Sequence, residues 1–449
     1  MLTDLSWLEE GKEFPPACEQ PRLEHYADNE RLFLTEHSEV WSSDFRRIAR
    51  LSKKKNFDVE TILNYHQLVS KKTADFVCGK PPSIETEGKT DDLTRTLDSL
   101  SFFGMLYEII LDISRYGNGI FKVIDKRCTV VSPKNWYPIV EPTDIKHIIH
   151  HVIAFPVQNA KQLHVEIHGA GYIEQRTHAF SGGRIGAMIG EPDIRKTNLD
   201  DFSVQVFSNL THSSSIYGID DYAIINSLVT KIMWRLHCAD TILDKHSEPS
   251  MSGPETALQY DEQTSTWYLP LGNYFGRNNK DDPDMRYVTW DGNLESNFKE
   301  IETLFNQLYI LSEMGQAFND AGGVSDSSGT ALRLRMVSPR TKANRLIGIN
   351  TPAVKKMILM LAKLNDVPIN YNDLTLHWND GLPEDDVEKV TTLSKATGGK
   401  PIMSQFSAIK QRGLTDLETE AELSAIRQDD EIYNGGLGPY VDPPMDEDE

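Results

Sequence analysis

Histidines crowd one stretch of the sequence and are, by residue type, the side chains best suited to hold a metal ion. They are His147, His150, His151, His164 and His168. Residues two positions apart on a strand share a face, so several imidazoles could approach one ion. No carboxylate or cysteine pattern typical of metal sites accompanies them. We therefore predict no metal site and no cofactor.

Motifs of hydrolases and nucleotide-binding enzymes are also missing. The stretch ATGGKP, residues 396–401, lacks the first glycine of a phosphate-binding loop at the required spacing and continues with proline. The sequence has no G-x-S-x-G, no H-E-x-x-H pair and no convincing Cys and His nucleophile arrangement. Cys18, Cys78, Cys128 and Cys238 lie far apart, so we expect reduced, buried thiols. These absences predict that the protein is not an enzyme.

Composition and charge limit the remaining classes. The chain has 449 residues, of which 39% are hydrophobic and 25% are charged, and its net charge is −21. These proportions are typical of a folded protein with two to four domains. An acidic chain is not a conventional DNA binder, because gripping phosphates requires a basic surface. No long apolar run and no signal peptide are present, so we expect neither membrane insertion nor secretion.

Hydrophobic periodicity predicts long helices on both sides of a β-rich region. Helical spacing extends over residues 56–78, 91–116, 220–246, 294–318 and 330–366. Residues 121–210 alternate in β-branched and aromatic runs, which predicts a largely antiparallel sheet. Pro339 and Pro352 are expected to kink or interrupt the last long helix. A short strand, LTLHW, and short amphipathic helices follow, before a tail with the composition of disorder.

A stretch rich in glycine and serine, NDAGGVSDSSGTALRLRM at residues 319–336, lies between the last two long helices. Gly322 and Gly323 can adopt positive φ, and the serines around them are short and polar. By itself, such a stretch is typical of a connector between helices. The predicted helical segment 330–366 is dense in basic residues. This density indicates a solvated face, an ion-pair network between subunits, or a surface near DNA.

The order of several short motifs resembles the portal proteins of tailed bacteriophages. The motifs are GKPP (Gly79 to Pro82), YGNG (Tyr116 to Gly119), YG-x-D (Tyr217, Gly218, Asp220), SGTAL (Ser328 to Leu332) and PIMS…G…D-x-E-x-E (Pro401 to Ser404, Gly413, Asp416, Glu418, Glu420). Each motif is short, and their shared order is the specific feature. The resemblance covers roughly residues 56–432, and the first 55 residues carry none.

The resemblance implies an α+β portal fold that assembles as a ring, typically of twelve subunits. In that family the ring sits at one capsid vertex, and double-stranded DNA passes through its channel during packaging and ejection. By the resemblance, the parts are a wing with the N-terminal region (1–219 and 331–380), a stem (220–246 and 294–318), a clip (247–293), a tunnel loop (319–330), a crown (381–432) and an acidic disordered tail (433–449).

The implied partners are further copies of the chain, DNA in the channel, the terminase large subunit, head-completion or adaptor proteins, and the major capsid and scaffolding proteins. The implied location is the virion, with the host cytoplasm during assembly. The alternative is another symmetric virion component, from the capsid or tail, without a DNA channel.

Four groups of residues carry the site predictions that follow from the resemblance. The tunnel loop comprises Asn319, Asp320, Gly322, Gly323, Val324, Ser325, Asp326, Ser327 and Ser328, and the basic residues near the channel are Arg333, Arg335 and Arg340. The stem stripes, which we expect neighbouring copies to cover, contain Ile225, Leu228, Ile232, Leu236, Phe298, Ile301, Phe305 and Leu308. The clip surface for partners contains Trp267, Tyr274, Phe275, Asn278, Asp281 and Asp282, although a small self-packed domain is equally consistent with it.

Overall fold

A computed structural model describes most of the chain. It describes residues 1–36, 62–86, 90–124, 127–247, 251–252, 259–268, 286–287, 294–315, 336–378, 386–397, 402–411 and 416–433. The chain divides into two compact units, Met1–Gly381 and Leu382–Glu449. Within the described residues, no helix is long and apolar enough to cross a membrane.

The α-helices of the first unit account for most of its described length outside the sheets. They are α1 (Gln20–Phe33), α2 (Tyr65–Cys78), α3 (Thr90–Ser99), α4 (Phe102–Tyr116), α5 (Tyr222–Ser247), α6 (Leu294–Leu311) and α7 (Val337–Leu364). Helices were predicted over all of these segments except α1. Each predicted segment contains helix among its described residues, but residues 62–64 and 312–314, which the predictions included, are not helical.

The strands lie mainly between α4 and α5, as predicted. They are β1 (Ser83–Glu85), β2 (Asn118–Ile124), β3 (Arg127–Val131), β4 (Trp136–Glu141), β5 (Asp144–Val157), β6 (Gln162–Gly169), β7 (Tyr172–Ser181), β8 (Arg184–Met188), β9 (Asp193–Lys196), β10 (Val204–Ser208), β11 (Met251–Ser252), β12 (Gln259–Asp261), β13 (Thr266–Tyr268), β14 (Arg286–Tyr287) and β15 (Thr375–His377). Their pairing is antiparallel throughout.

Two sheets form the centre of the first unit. One has the order β4-β5-β6-β7-β8, with β9 pairing the other end of β7, and the second has the order β10-β2-β3. Trp136, Ile153 and Ile120 are fully buried or nearly so between them. Because side chains alternate across a strand, each sheet has a second face that needs a cover of its own.

Helices and the N-terminal residues provide those covers. The outer face of the three-stranded sheet, with Phe121 and Phe207, packs against α2, α3, α4 and α7. The outer face of the larger sheet packs against residues 1–36, whose Trp7 and Phe14 fill the space above it. The first unit is therefore layered as N-terminal segment, large sheet, small sheet and helices.

The predicted helix over 91–116 is two helices instead of one. Ser101, between α3 and α4, has a φ of +54°, which is outside the helical range. The break lets both helices bury their apolar faces in one core, where Leu97 and Phe102 are fully buried. Tertiary packing has overridden local helix propensity here.

The last long helix was predicted to be kinked or interrupted by its prolines. The interruption is wrong, because α7 continues through both prolines, and the kink stays a prediction. Pro339 lies in its first turn, where an N–H has no helical acceptor to lose. Pro352 lies inside the helix and removes one backbone donor. Val354, Met357 and Ile358 next to it are fully buried, so packing holds the helix together across that gap.

The four cysteines are free, but the prediction that they are buried is only partly right. Cys78 is buried, and its pKa is raised to about 12 by that burial. Cys128 and Cys238 are half-buried, and Cys18 is exposed. Cys18 lies in the N-terminal segment, for which the sequence predicted no structure.

The second unit contains the short amphipathic helices predicted near the C-terminus. They are α8 (Asp386–Thr397), α9 (Gln405–Lys410) and α10 (Asp416–Tyr433), and α9 packs against both of the others. The side chain of Ser404 caps α9 by accepting from the backbone N–H of Ser407 at 3.1 Å.

Candidate functional site

The glycines of two sequence motifs touch each other where the helix pair α5–α6 meets the sheets. A Cβ placed on Gly117, of YGNG, would lie 2.1 Å from the carbonyl oxygen of Gly218, of YG-x-D, and the reverse distance is also 2.1 Å. Gly117 also has a φ of +82°. Asn118 accepts from the Gly218 N–H through its side-chain oxygen at 2.8 Å. The two motifs are therefore one joint between the end of α4 and the start of α5.

Asp220 caps α5. Its Oδ1 accepts from the backbone N–H of Ala223 at 2.9 Å. Its other oxygen lies 2.7 Å from Nε2 of His25 in α1. This hydrogen bond raises the pKa of His25. The N-terminal segment is thus tied to the first turn of α5.

Asp221 is the centre of a largely buried polar network. It accepts from the hydroxyl of Ser114 at 2.6 Å and from the amide of Asn209 at 2.9 Å. It also pairs with Lys342 of α7 at 2.8 Å, and the Lys342 side chain is only 3% exposed. The network joins α4, α5 and α7 through charges that water barely reaches, so loss of one partner would leave the other uncompensated.

Glu313, at the end of α6, also forms an ion pair with a residue of α7. Its carboxylate receives two hydrogen bonds from the guanidinium of Arg345, at 3.0 and 2.5 Å. These hydrogen bonds lower the pKa of Glu313 and raise that of Arg345. The hydroxyl of Ser338 also donates to the backbone carbonyl of Glu313 at 3.1 Å. Residues on both sides of the 316–335 segment are therefore in contact.

The predicted basic surface is only partly described. Lys342 and Arg345 form ion pairs within the chain, and Lys342 is buried, so it is not part of a solvated face. Arg340 is half-buried, and its predicted role stays a prediction. Arg333 and Arg335 lie outside the described residues. The same is true of every predicted tunnel-loop residue, from Asn319 to Ser328.

The stem stripes are covered differently from the prediction. Ile225, Ile232 and Leu308 are fully buried within one chain, and Ile301 is nearly so. The stripe on α5 and α6 packs against α1 and α2, through residues such as Leu32 and Val69.

The prediction that neighbouring copies cover these buried residues is therefore wrong. It treated the helices as an isolated hairpin, whereas four helices share the cluster. Leu228, Leu236 and Phe305 are partly buried in it. Phe298, by contrast, is 48% exposed, and its interface role stays a prediction.

Large apolar side chains remain exposed at several positions of the helix pair. Ile224 is 49% exposed on α5, and Phe298, Ile310 and Leu311 are 48%, 64% and 43% exposed on α6. Apolar surface of this kind on long helices is typical of an interface. It is also the surface that sequence periodicity could not separate from the buried stripe.

The predicted clip surface is described only at the β12–β13 hairpin. Trp267 is 65% exposed and faces Tyr260 across the two strands, with ring centroids 5.1 Å apart. Exposed aromatic side chains of this kind are frequent in protein interfaces. Tyr274, Phe275, Asn278, Asp281 and Asp282 lie outside the described residues.

The predicted absence of a metal site stays a prediction, although the histidines do meet acidic groups between the sheets. Nδ1 of His168 lies 2.7 Å from the hydroxyl of Ser203, and its Nε2 lies 3.3 Å from Glu166. Burial opposes ionisation of Glu166, but hydrogen bonds from His164, His168 and Lys122 hold its pKa well below the usual range. Among the described residues, no group of three or more metal-binding side chains could hold an ion.

This Ser–His–Glu row has the residue types of a hydrolytic triad, which sequence spacing did not reveal. Ser203 and His168 are fully buried, so the serine presents no exposed nucleophile. Glu166 is paired with Lys122 at 2.6 Å, and this ion pair links the large sheet to the small one. The row is therefore interpreted as an element that holds the two sheets together.

Comparisons with known proteins support the resemblance over part of the chain. Residues 225–433 match a family model described as "Phage portal protein, SPP1 Gp6-like". The predicted resemblance to portal proteins is confirmed over that range. No curated protein matches the sequence significantly.

Similar solved structures come from gene transfer agent particles. A chain of the "Neck of empty GTA particle computed with C6 symmetry" has 11% identity and a TM-score of 0.44, with 78% of this chain and 90% of that chain covered. A chain of the "Virion of native gene transfer agent (GTA) particle" has 11% identity and a TM-score of 0.42, covering 78% and 89%. A chain of the "Neck of native GTA particle computed with C12 symmetry" has 12% identity and a TM-score of 0.38, covering 78% and 88%. These likenesses are distant.

Proposed function

We propose, from the premise that residues 225–433 match the phage portal family, that this chain is a portal subunit. Copies form a ring, typically of twelve subunits in that family, at one capsid vertex. Double-stranded DNA passes through the ring during packaging and ejection. The chain supplies the passage and catalyses no reaction, so ATP hydrolysis belongs to the terminase large subunit.

The parts of the chain take the following roles in this proposal. Helices α5 and α6 form the stem, residues 247–293 the clip, residues 319–330 the tunnel loop and residues 381–432 the crown. The sheets and their covering helices form the wing. The clip meets the terminase and later the head-completion or adaptor proteins, and the ring also contacts the major capsid and scaffolding proteins. The particle is assembled in the host cytoplasm and remains in the virion.

The ion pairs that join α7 to the start of α5 and to the end of α6 support this proposal. Asp221 before α5 and Glu313 after α6 each form an ion pair with α7, through Lys342 and Arg345. A stem that surrounds moving DNA must pass lateral forces to the rest of its subunit. Two anchor points on one helix, joined to the sheets through the glycine joint, provide a path for those forces.

The charge of the chain is consistent with a passage through which DNA slides. Each phosphate neutralised by a basic residue adds affinity and would slow the duplex. A net charge of −21 keeps such contacts weak. An acidic or mixed lining therefore suits transport better than a basic one.

Substitutions in the predicted tunnel loop test the proposal. Gly322→Val with Gly323→Val should stiffen the backbone there, because β-branched residues do not tolerate positive φ. We expect rings to form on negative-stain grids, with a central hole, and the DNA content of assembled capsids to fall. Substitution by alanine at both positions is the matched control and should have a smaller effect.

Two results would contradict the proposal. A purified chain that forms no holed ring would exclude a portal. Rings that package a normal amount of DNA in the double valine variant would exclude a tunnel role for these residues. A symmetric particle without a hole would favour a capsid or tail component.

A further inference from the structure

Glu313 occupies a conformation that its residue type does not favour. It follows α6 with a φ of +59°, in the left-handed region where glycine is most readily accommodated. A glutamate there must be held by its surroundings, since its side chain gives no local support for this conformation. The chain thus has a carboxylate where backbone geometry alone would favour glycine.

The contacts of Glu313 explain the choice of residue. Its carboxylate binds Arg345 through two hydrogen bonds, and its carbonyl oxygen accepts from Ser338. Both partners belong to α7, which begins directly after the 316–335 segment. Met314, the next residue, is almost fully buried in the cluster of α5 and α6. Glycine at this position would keep the turn and the hydrogen bond from Ser338, but it would lose both hydrogen bonds from Arg345.

We propose that Glu313 is a positioning residue that, through Arg345, holds the end of α6 against the start of α7. The pair of Glu313 and Arg345 sets the distance between the points at which the 316–335 segment begins and ends. For its consequence in a DNA channel this inference rests on the proposed function, but the link itself does not. In a portal ring, the pair fixes where the predicted tunnel loop leaves the stem and returns to the wing.

The exposure of the two ion pairs on α7 separates their roles. Glu313 and Arg345 have side chains 41% and 36% exposed, whereas those of Asp221 and Lys342 are 11% and 3% exposed. Water and salt reach the first pair and largely miss the second. Salt should therefore weaken the pair of Glu313 and Arg345 more than the pair of Asp221 and Lys342.

Amide hydrogen exchange on the purified full-length chain tests the link without DNA. The variants are Glu313→Ala, Glu313→Gly and Arg345→Met, with Lys356→Met as the control. Lys356 forms a half-exposed pair with Asp201, farther along α7. We expect Glu313→Ala and Arg345→Met each to speed exchange at residues 312–315 about tenfold. The double variant should add little, because both substitutions break the same pair.

The glycine variant distinguishes the link from simple backbone strain. Glycine accepts the positive φ but cannot bind Arg345, so its exchange should be faster than wild type and slower than in Glu313→Ala. If Glu313 had no positioning role, relief of strain would make the glycine variant exchange more slowly than wild type. Raising NaCl from about 0.05 to about 0.5 M should speed exchange in wild type and not in Glu313→Ala, since only wild type has the charge pair to screen.

The inference is overturned by unchanged exchange in Glu313→Ala and Arg345→Met, or by slower exchange than wild type in Glu313→Gly. These outcomes do not depend on ring formation or on DNA. The proposed function fails separately, through the ring images and the valine substitutions in the loop. The two failures are therefore distinguishable.

Discussion

At the scale of residues, the joint between Gly117 and Gly218 determines how the helix pair leaves the sheets. Each glycine lies where the Cβ of any other residue would meet the carbonyl of its partner at 2.1 Å. We expect Gly117→Ala and Gly218→Ala each to lower the free energy of unfolding by about 3 kcal/mol or more. Urea denaturation followed by circular dichroism measures this loss.

Gly104 provides the matched control for the glycine joint. It lies on the exposed side of α4, and a Cβ added there has no neighbour within 4 Å. Gly104→Ala should leave stability unchanged or raise it by up to about 1 kcal/mol, because alanine favours helix. Equal stability of all three variants would show that the close approach of Gly117 and Gly218 is not a constraint.

The sequence predicted some residues of the site and could not predict others. The Asp220 cap could be predicted, because Asp220 lies two residues before the first residue of α5 and acidic residues at a helix start are a local pattern. Glu313 and Arg345 lie on opposite sides of the 316–335 segment in the sequence, so no local pattern indicates the link between them. A glutamate two residues before Gly315 was the available signal, and it points equally to an ordinary helix end.

At the scale of elements, the helix pair has one stripe covered by its own chain, and other large apolar side chains of the pair remain exposed. Phe298→Asp with Ile310→Asp places charge at two of these exposed positions, where the side chains are 48% and 64% accessible. We expect these substitutions to abolish rings, because a charge without a partner opposes burial at an interface. Circular dichroism and the melting temperature of the subunit should change little.

Ile232→Asp is the contrasting variant for the helix pair. Ile232 is fully buried within one chain, so a charge there should unfold the subunit itself. Negative-stain images and light scattering separate the two effects. Rings that persist in the variant with both Phe298 and Ile310 replaced would place the subunit contact elsewhere.

Helices and strands were predicted well where a single period governs the sequence. The alternation over 121–210 and the stripe of α5 are such cases. The break at Ser101 was missed, because it depends on the core that α3 and α4 share. The continuity of α7 through Pro352 was missed for the same reason. Both errors arise where tertiary packing outweighs a local preference.

At the scale of the whole molecule, buried histidines between the two sheets make the free energy of unfolding fall in acid. Burial, with the nearby charge of His168, lowers the pKa of His151 to about 3, and burial lowers that of His168. The unfolded chain binds these protons near pH 6.5 and the folded chain does not. The stabilisation is therefore complete above pH 6.5 and is lost as pH falls toward the folded pKa values.

Replacing His151 should reduce this dependence on pH. A glutamine at that position can still accept from Nε1 of Trp136, which lies 3.1 Å from His151. We expect the difference in unfolding free energy between pH 7.5 and 5.0 to be about 2 kcal/mol smaller in His151→Gln than in wild type. Ile149→Gln, at an exposed position of the same strand, is the control and should not change the difference. An unchanged difference in His151→Gln would show that this residue does not govern acid stability.

The first 36 residues were assigned no role from the sequence, yet residues 2–23 among them cover one face of the large sheet. Their apolar and charged residues are mixed and follow no sustained period, so no strand or long helix was predicted there. The surface they cover is the outer face of the large sheet. Only knowledge of that sheet would show that a cover is needed.

This N-terminal layer has a consequence for the order in which the chain folds. Arg22 donates to the carbonyl of Pro133, a residue 111 positions later, and Trp7 and Phe14 pack on strands that follow still later. Contacts between residues so distant in sequence slow folding, because the intervening chain must first be ordered. During synthesis these aromatic side chains emerge first and stay uncovered until the sheet is complete. We therefore expect the number of subunits that can join a ring to depend on how quickly the large sheet of each chain forms and covers Trp7 and Phe14.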